Sequence, residues 1–226
     1  MIAPASIGTL FKHAATLLVR RWPLYLAGTI VAFGVEATLF FAHGLNPIVA
    51  TVVGDVFALA PLAAIVYGFG GADSTASPPS GGAFWGRIAE RVWAVIVIQA
   101  ALDLFFILLV LAVGPSVVAQ TIAQVGFLIL GTILAFAQIH AIWAPEERPA
   151  RLLLDSLLAS ARITTTRIGY IRAVGLVFVP YLLQQTVAQS LWENLILVTL
   201  IQVPFAALTV ACYLDCLALG RDDAGK

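Results

Sequence analysis

Apolar residues recur through this chain in two patterns. Between residues 5 and 21 they fall at helical steps, with Ile7, Leu10, Phe11, Ala14, Leu17 and Leu18 on one stripe and Lys12, His13, Thr16 and Arg20 off it. That spacing predicts an amphipathic helix, with Ser6 as its N-cap. Such a helix is expected to lie in the plane of a membrane interface, where Arg20 and Arg21 meet the headgroups and Trp22 serves as an aromatic anchor. Beyond it the polar positions thin out. Six long apolar runs follow, near residues 22–43, 47–69, 92–113, 117–143, 171–190 and 194–219. A spanning helix needs about 20 apolar residues, and each run is long enough with some tilt.

The breaks between runs are of two kinds. His43-Gly44-Leu45-Asn46-Pro47, Gly114-Pro115-Ser116 and Leu191-Trp192-Glu193-Asn194 read as tight turns, so spans 1–2, 3–4 and 5–6 are expected to be antiparallel hairpins. The other two connections are longer. Residues 70–86 are rich in Gly, Ser and Pro and are expected to be a flexible loop. Residues 146–168 carry a second amphipathic pattern, started by Pro145 with Glu146 and Glu147. Leu153, Leu154, Leu157, Leu158 and Ala161 share one face of it; Arg148, Arg151, Asp155, Arg162 and Thr166 share another, with Glu147 and Arg151 as an i,i+4 pair. Residues 5–43 and 150–190 therefore echo each other as amphipathic helix, basic turn and span. A parallel repeat and the ordinary tendency of interfacial helices to precede spans both account for the echo.

Composition fixes the class. Of 226 residues, 61% are hydrophobic and 11% charged, against about 25% charged in ordinary soluble domains. The mean hydropathy is +1.00. The fold class is thus all-α: a polytopic membrane protein of one domain, with six spans and two interfacial helices on the cytoplasmic side. The start, MIAPASIGTL, lacks a basic segment ahead of an apolar core, so the first spans are expected to direct insertion themselves. The 12 Lys and Arg residues all lie before span 1, between spans 2 and 3, between spans 4 and 5, or in the tail, counting Arg91 and Arg172 as span ends. The positive-inside rule then places both termini and the long connections in the cytoplasm, in a cell inner membrane.

The chemistry left to explain is polar residues where lipid should be. Glu36, Asp55, Asp103 and Asp215 fall within spans, with no Lys or Arg at comparable depth. At 1.5 Å per residue, Glu36, Asp55 and Asp103 lie about 10–15 Å below the outer ends of spans 1, 2 and 3. One reading is a shared acid-lined cavity, open to the outside, for a proton, a metal cation or an amine. The other is three separate uncharged acids, each hydrogen-bonded to a helix backbone or a glutamine. Asp215 lies near the cytoplasmic end, within range of Arg221 or its neighbours. Gln99, Gln120, Gln124, Gln138, Gln184, Gln185, Gln189 and Gln202 add interhelical hydrogen-bonding capacity, of which Gln99 and Gln185 are secondary candidates for the site. Ala60, Ala64 and Gly68 on span 2 form a small-residue stripe suited to close helix contact, and Pro61 and Pro204 are candidate kinks. His13, His43 and His140 are scattered, and Cys212 and Cys216 read as small packing residues.

No G-x-x-x-x-G-K-[ST], HExxH or G-x-S-x-G motif occurs. No cofactor, bound metal or nucleic-acid partner is expected; the lipid bilayer and other membrane proteins are. The expected role is non-enzymatic, in small-solute or cation transport or in a membrane complex. The alternatives are an accessory or structural subunit and a lipid-active membrane enzyme.

The order of features also resembles a known bacterial type. An amphipathic N-terminal helix ends in Arg and Pro before span 1. Span 3 opens on Arg91-Val92-Trp93, and a leucine-rich helix with Ser and Arg runs from Glu146 to Arg167 ahead of span 5. This is similar to the six-helix membrane domain attached to some glycerophosphoryl diester phosphodiesterases, and to its free-standing relatives. The resemblance implies a stand-alone membrane module. It carries over no catalytic residues, because the soluble phosphodiesterase barrel is missing from this sequence.

Overall fold

The computed structural model describes residues 4–41, 52–74, 81–114, 116–145, 148–187 and 190–224. Nine α-helices and one π-turn make up the described chain: α1 (Ile7–Arg20), α2 (Trp22–Phe41), the π-turn (Asp55–Leu59), α3 (Ala60–Ser74), α4 (Gly81–Val113), α5 (Val117–Ile133), α6 (Ala137–Trp143), α7 (Pro149–Thr165), α8 (Arg167–Val187) and α9 (Leu191–Ala224). Among the described residues there are no strands. Five helical segments are long and apolar enough to cross a membrane. A sixth span is reached only when α7 and α8, bent by 109° at Thr166, are taken together.

The helices close on one another around α3. It packs against α2, α4, α6 and α9; α9 also packs on α2 and α8, and α8 on α5, which returns to α4. Ala60 and Ala64 are buried inside this bundle, so the small-residue stripe of span 2 is used within the fold. α2 is peripheral by contrast. Leu26, Ile30, Val31 and Val35 face outward, while Tyr25, Ala32 and Glu36 turn in.

Ser6 accepts the Thr9 amide at 3.2 Å and caps α1 as its side chain suggests. The apolar stripe of α1 is split. Leu10, Ala14 and Leu17 are buried, α1 packing chiefly against α9, whereas Ile7 and Phe11 stay exposed. α7 differs more from expectation. The face it buries is Leu152, Ser156, Ser160 and Thr164, at four-residue steps. Leu154 and Leu158, on the leucine face, remain exposed. Small hydroxyl residues let α7 approach the bundle closely, with Leu153 and Leu157 half-buried against the core beside them.

Several expected boundaries move. Gly70–Ser74 and the residues from Gly81 onward are helical, so both ends of the loop expected over 70–86 are helix; residues 75–80 lie outside the described residues. The turn at Leu191–Asn194 is instead the first turn of α9. Ser190 and Glu193 form a reciprocal capping box there: the Ser190 amide donates to Glu193 Oε2 at 2.9 Å, and the Glu193 amide to Ser190 Oγ at 3.2 Å. The helix expected over 146–168 runs from Pro149, which occupies the first helical turn, to Thr165. Thr166 then caps α8, its Oγ1 accepting the Gly169 amide at 3.1 Å, so the span expected from 171 begins at Arg167. A Cβ on Gly169 would collide with the Ile163 carbonyl oxygen, so only glycine fits this bend. The His43–Pro47 turn, Pro115, Glu146 and Glu147 lie outside the described residues.

Span 4 is broken. α5 stops at Ile133, Leu134–Phe136 form a turn, and α6 resumes at Ala137. The Ala137 amide bonds the Leu134 carbonyl, leaving the Ile133 carbonyl without its usual helical donor. Ser160 of α7 fills the gap, donating to Ile133 O at 2.7 Å and accepting the Phe136 amide at 3.0 Å.

Candidate functional site

The inward face of α2 carries Glu36 into the bundle, where it is 5% exposed. The Thr199 hydroxyl on α9 donates to its Oε2 at 3.1 Å. Gly54 lies against the same carboxyl group, so that a Cβ there would sit 3.0 Å from Glu36 Cγ and 3.5 Å from Cδ. The seat for Glu36 is therefore made by removing a side chain from the neighbouring helix.

Asp55 follows directly and opens the π-turn, whose wide ring is closed by the Ala60 amide on the Asp55 carbonyl. Pro61 gives the local reason. A proline ring has no N–H to offer and crowds the carbonyl one turn back, and a wider turn relieves both. Gln202 of α9 contributes a side-chain donor to the Leu59 carbonyl at 3.5 Å. The π-turn packs against both α2 and α4. That places half-buried Asp55 within electrostatic reach of both Glu36 and Asp103.

Asp103 on α4 is 7% exposed. Its Oδ1 accepts Gln99 Nε2 at 3.0 Å, and Gln99 Oε1 accepts Gln138 Nε2 from α6 at 2.9 Å. A polar line thus runs across the bundle: Gln138, Gln99, Asp103, Asp55, Glu36 and Thr199, contributed by α6, α4, the π-turn, α2 and α9. Glu36 Oε1 and Asp103 Oδ2 are buried and have no hydrogen-bond partner among the described residues. Native interiors rarely leave such oxygens unmatched. These two can accept a proton, a water or an N–H cation. The carboxylates do not close around one point: among the described residues, no three His, Cys, Asp or Glu side chains are placed to share a metal ion.

The other candidates go elsewhere. Asp215 forms an ion pair with Arg172 of α8 and accepts the Ala5 amide at 3.2 Å. The partner for Asp215 is thus on α8; the side chain of Arg221 is outside the described residues. Arg172 also donates to Cys216 Sγ at 3.5 Å, and both cysteines are free thiols. Gln185 is exposed near the end of α8, away from the acids. Gln124 accepts the Tyr181 hydroxyl at 3.1 Å and ties α5 to α8. The side chains of Gln120 and Gln189 and the whole of His43 lie outside the described residues. His140 is an interior residue, sharing a 2.6 Å hydrogen bond between Nδ1 and the buried Tyr213 hydroxyl. Phe136 and Trp143 pack their rings on Tyr213 beside it.

Sequence reasoning missed Thr199, Gly54 and the part played by Gln138. Thr199 carries no sequence signal. For the π-turn there was one, since Asp55 precedes Pro61 within a run otherwise suited to a regular helix. No protein-family model, curated protein or solved structure matches this chain.

Proposed function

We propose that this chain is a multi-pass protein of the cell inner membrane, with both termini cytoplasmic, that moves a proton or small cation, or a solute coupled to one. Glu36, Asp55 and Asp103 are the groups that bind the ion. The observation that carries this reading is that Asp55 sits on an interrupted helix packed against the two helices that carry the buried Glu36 and Asp103. A charged carboxylate at mid-membrane costs about 2.5–3.5 kcal/mol on insertion scales. Packing alone does not require three of them together with two oxygens lacking partners. An interrupted helix at membrane depth is a usual place for ion binding, because backbone and side chains there have spare bonding capacity. Two unpartnered carboxyl oxygens, Glu36 Oε1 and Asp103 Oδ2, without a three-ligand cage among the described residues, suit a proton or an N–H cation better than a tightly held divalent metal.

The test is flux in proteoliposomes under a pH gradient, with alkali cations and simple amines as probes. The triple variant Glu36→Gln, Asp55→Asn, Asp103→Asn should abolish the proton- or cation-dependent flux of wild type. An equal flux in the variant sinks the proposal.

A second reading, that of an accessory subunit, has one observation in its favour. Ile7 and Phe11 on α1, and Leu154 and Leu158 on α7, are exposed on helices that pack on the bundle through their opposite faces. These faces suit the inner leaflet as interfacial helices, and equally a partner's membrane helix. Purification in a gentle detergent that yields only monomer counts against the partner. Either role fits a non-enzymatic member of the six-helix type that the sequence resembles.

A further inference from the structure

A pocket of 490 Å³ opens at the end of the bundle opposite Val113, lined by Arg87, Glu90 and Arg91 of α4, Trp93, Trp143 and Leu152. Arg87 and Arg91 are one helical turn apart on α4, and Glu90 falls on the same face. The Trp143 ring is held in place, its Nε1 donating to the Tyr67 carbonyl at 2.8 Å and its edge packed on Tyr213. We propose that this pocket binds the headgroup of a zwitterionic phospholipid bearing a primary amine, of the phosphatidylethanolamine class.

The chemistry matches that headgroup part by part. Two guanidinium groups present forked donors to a phosphate, the anion that arginine pairs suit best. Glu90 supplies an acceptor for the ammonium group, and an indole ring favours a cation over its face. An anionic lipid would satisfy the arginines and leave Glu90 facing a second negative or neutral group. Leu152 and the body of Trp93 give the first carbons of the acyl chains an apolar wall.

Depth argues for a lipid over a soluble phosphate ester. Arg91 precedes Val113 by 22 residues and Arg87 by 26, which is about 33 and 39 Å along α4. With Val113 at the outer edge of a hydrocarbon layer about 30 Å thick, both arginines fall in the opposite headgroup layer. The proposal rests on the membrane placement given under Proposed function, and it is independent of the acid line.

The test uses purified full-length chain, stripped of lipid by detergent exchange. It is titrated with phosphatidylethanolamine, phosphatidylglycerol or phosphatidylcholine in mixed micelles, and bound lipid is read by native mass spectrometry. Wild type should hold phosphatidylethanolamine about tenfold more tightly than the other two, the scale of one charge-assisted hydrogen bond. Arg87→Gln with Arg91→Gln should weaken all phospholipid binding by about tenfold or more. Glu90→Gln, a conservative change at an exposed side chain, should keep binding and lose the preference for the amine. Equal retention of the three lipids by wild type, or no loss in the double arginine variant, overturns the proposal. So does binding of soluble phosphoethanolamine or inorganic phosphate as tight as that of the lipid. Failure of the chain to reconstitute into vesicles would sink the membrane placement; unselective binding by a reconstituted chain would sink only the pocket.

Discussion

Ser160→Ala is expected to be among the most damaging single-atom deletions in this protein. The break between α5 and α6 leaves the Ile133 carbonyl and the Phe136 amide without helical partners, and one hydroxyl serves both, at 2.7 and 3.0 Å. Ser160 is 0% exposed, so water has no ready access to replace it. Leaving a buried backbone group unsatisfied costs about 1–3 kcal/mol, and two groups together about 2–6 kcal/mol. For a chain of this size each kcal/mol shifts the melting temperature by about 2–4 °C, giving a fall of about 4–24 °C. The control is Ser156→Ala on the same buried face. Its hydroxyl donates only to the Leu152 carbonyl at 2.6 Å, an acceptor that keeps its own helical amide. That change should cost about 1 kcal/mol or less. Scanning fluorimetry in one detergent compares the two variants directly. If Ser160→Ala melts with Ser156→Ala, within a degree or two of wild type, the break is not held by Ser160.

Three further outcomes follow from the packing. Asp215→Ala leaves the Arg172 guanidinium, whose side chain is 8% exposed, without its counter-charge, and should cost about 3–5 kcal/mol; replacing both residues by methionine should cost far less, as thermal melts would read. Gly169→Ala drives a Cβ against the Ile163 carbonyl and should open the bend between α7 and α8, increasing protease cleavage near Thr166; unchanged cleavage would exclude the clash. Single cysteines at positions 78 and 148, in a background with Cys212 and Cys216 replaced, should react with a membrane-impermeant maleimide only from the cytoplasmic side, and a cysteine at 116 only from outside. Labelling in the reverse sense would overturn the orientation.

What the sequence made legible was mostly one-dimensional. The apolar runs and the Ser6 cap follow from spacing along the chain. The capping box at Ser190 and Glu193 was equally available, as a Ser followed three residues later by Glu. The α5–α6 break was not, because Leu134, Ala135 and Phe136 are ordinary helix formers and the hydroxyl that holds them lies 24 residues beyond Phe136. The buried face of α7 misleads in a similar way. Hydropathy ranks its leucines above Ser156, Ser160 and Thr164, whereas close packing between helices favours the small hydroxyls. In the acid line, the alignment of Asp55 between its neighbours depends on how α2, the π-turn and α4 are rotated. Apolar runs without strong periodicity leave that rotation undetermined.

The contact at Asp215 has a consequence for how the chain is made. The Ala5 amide reaches a carboxylate 210 residues further on, and Leu10, Ala14 and Leu17 of α1 find their buried places chiefly on α9. α1 therefore docks on a helix that is synthesised long after it. Until then Leu10, Ala14 and Leu17 lack the cover that α9 supplies. Arg172 must also already be in place to receive Asp215. Docking of α1 thus waits for α9, and intermediates lacking α9 should expose that apolar stripe to quality-control proteases.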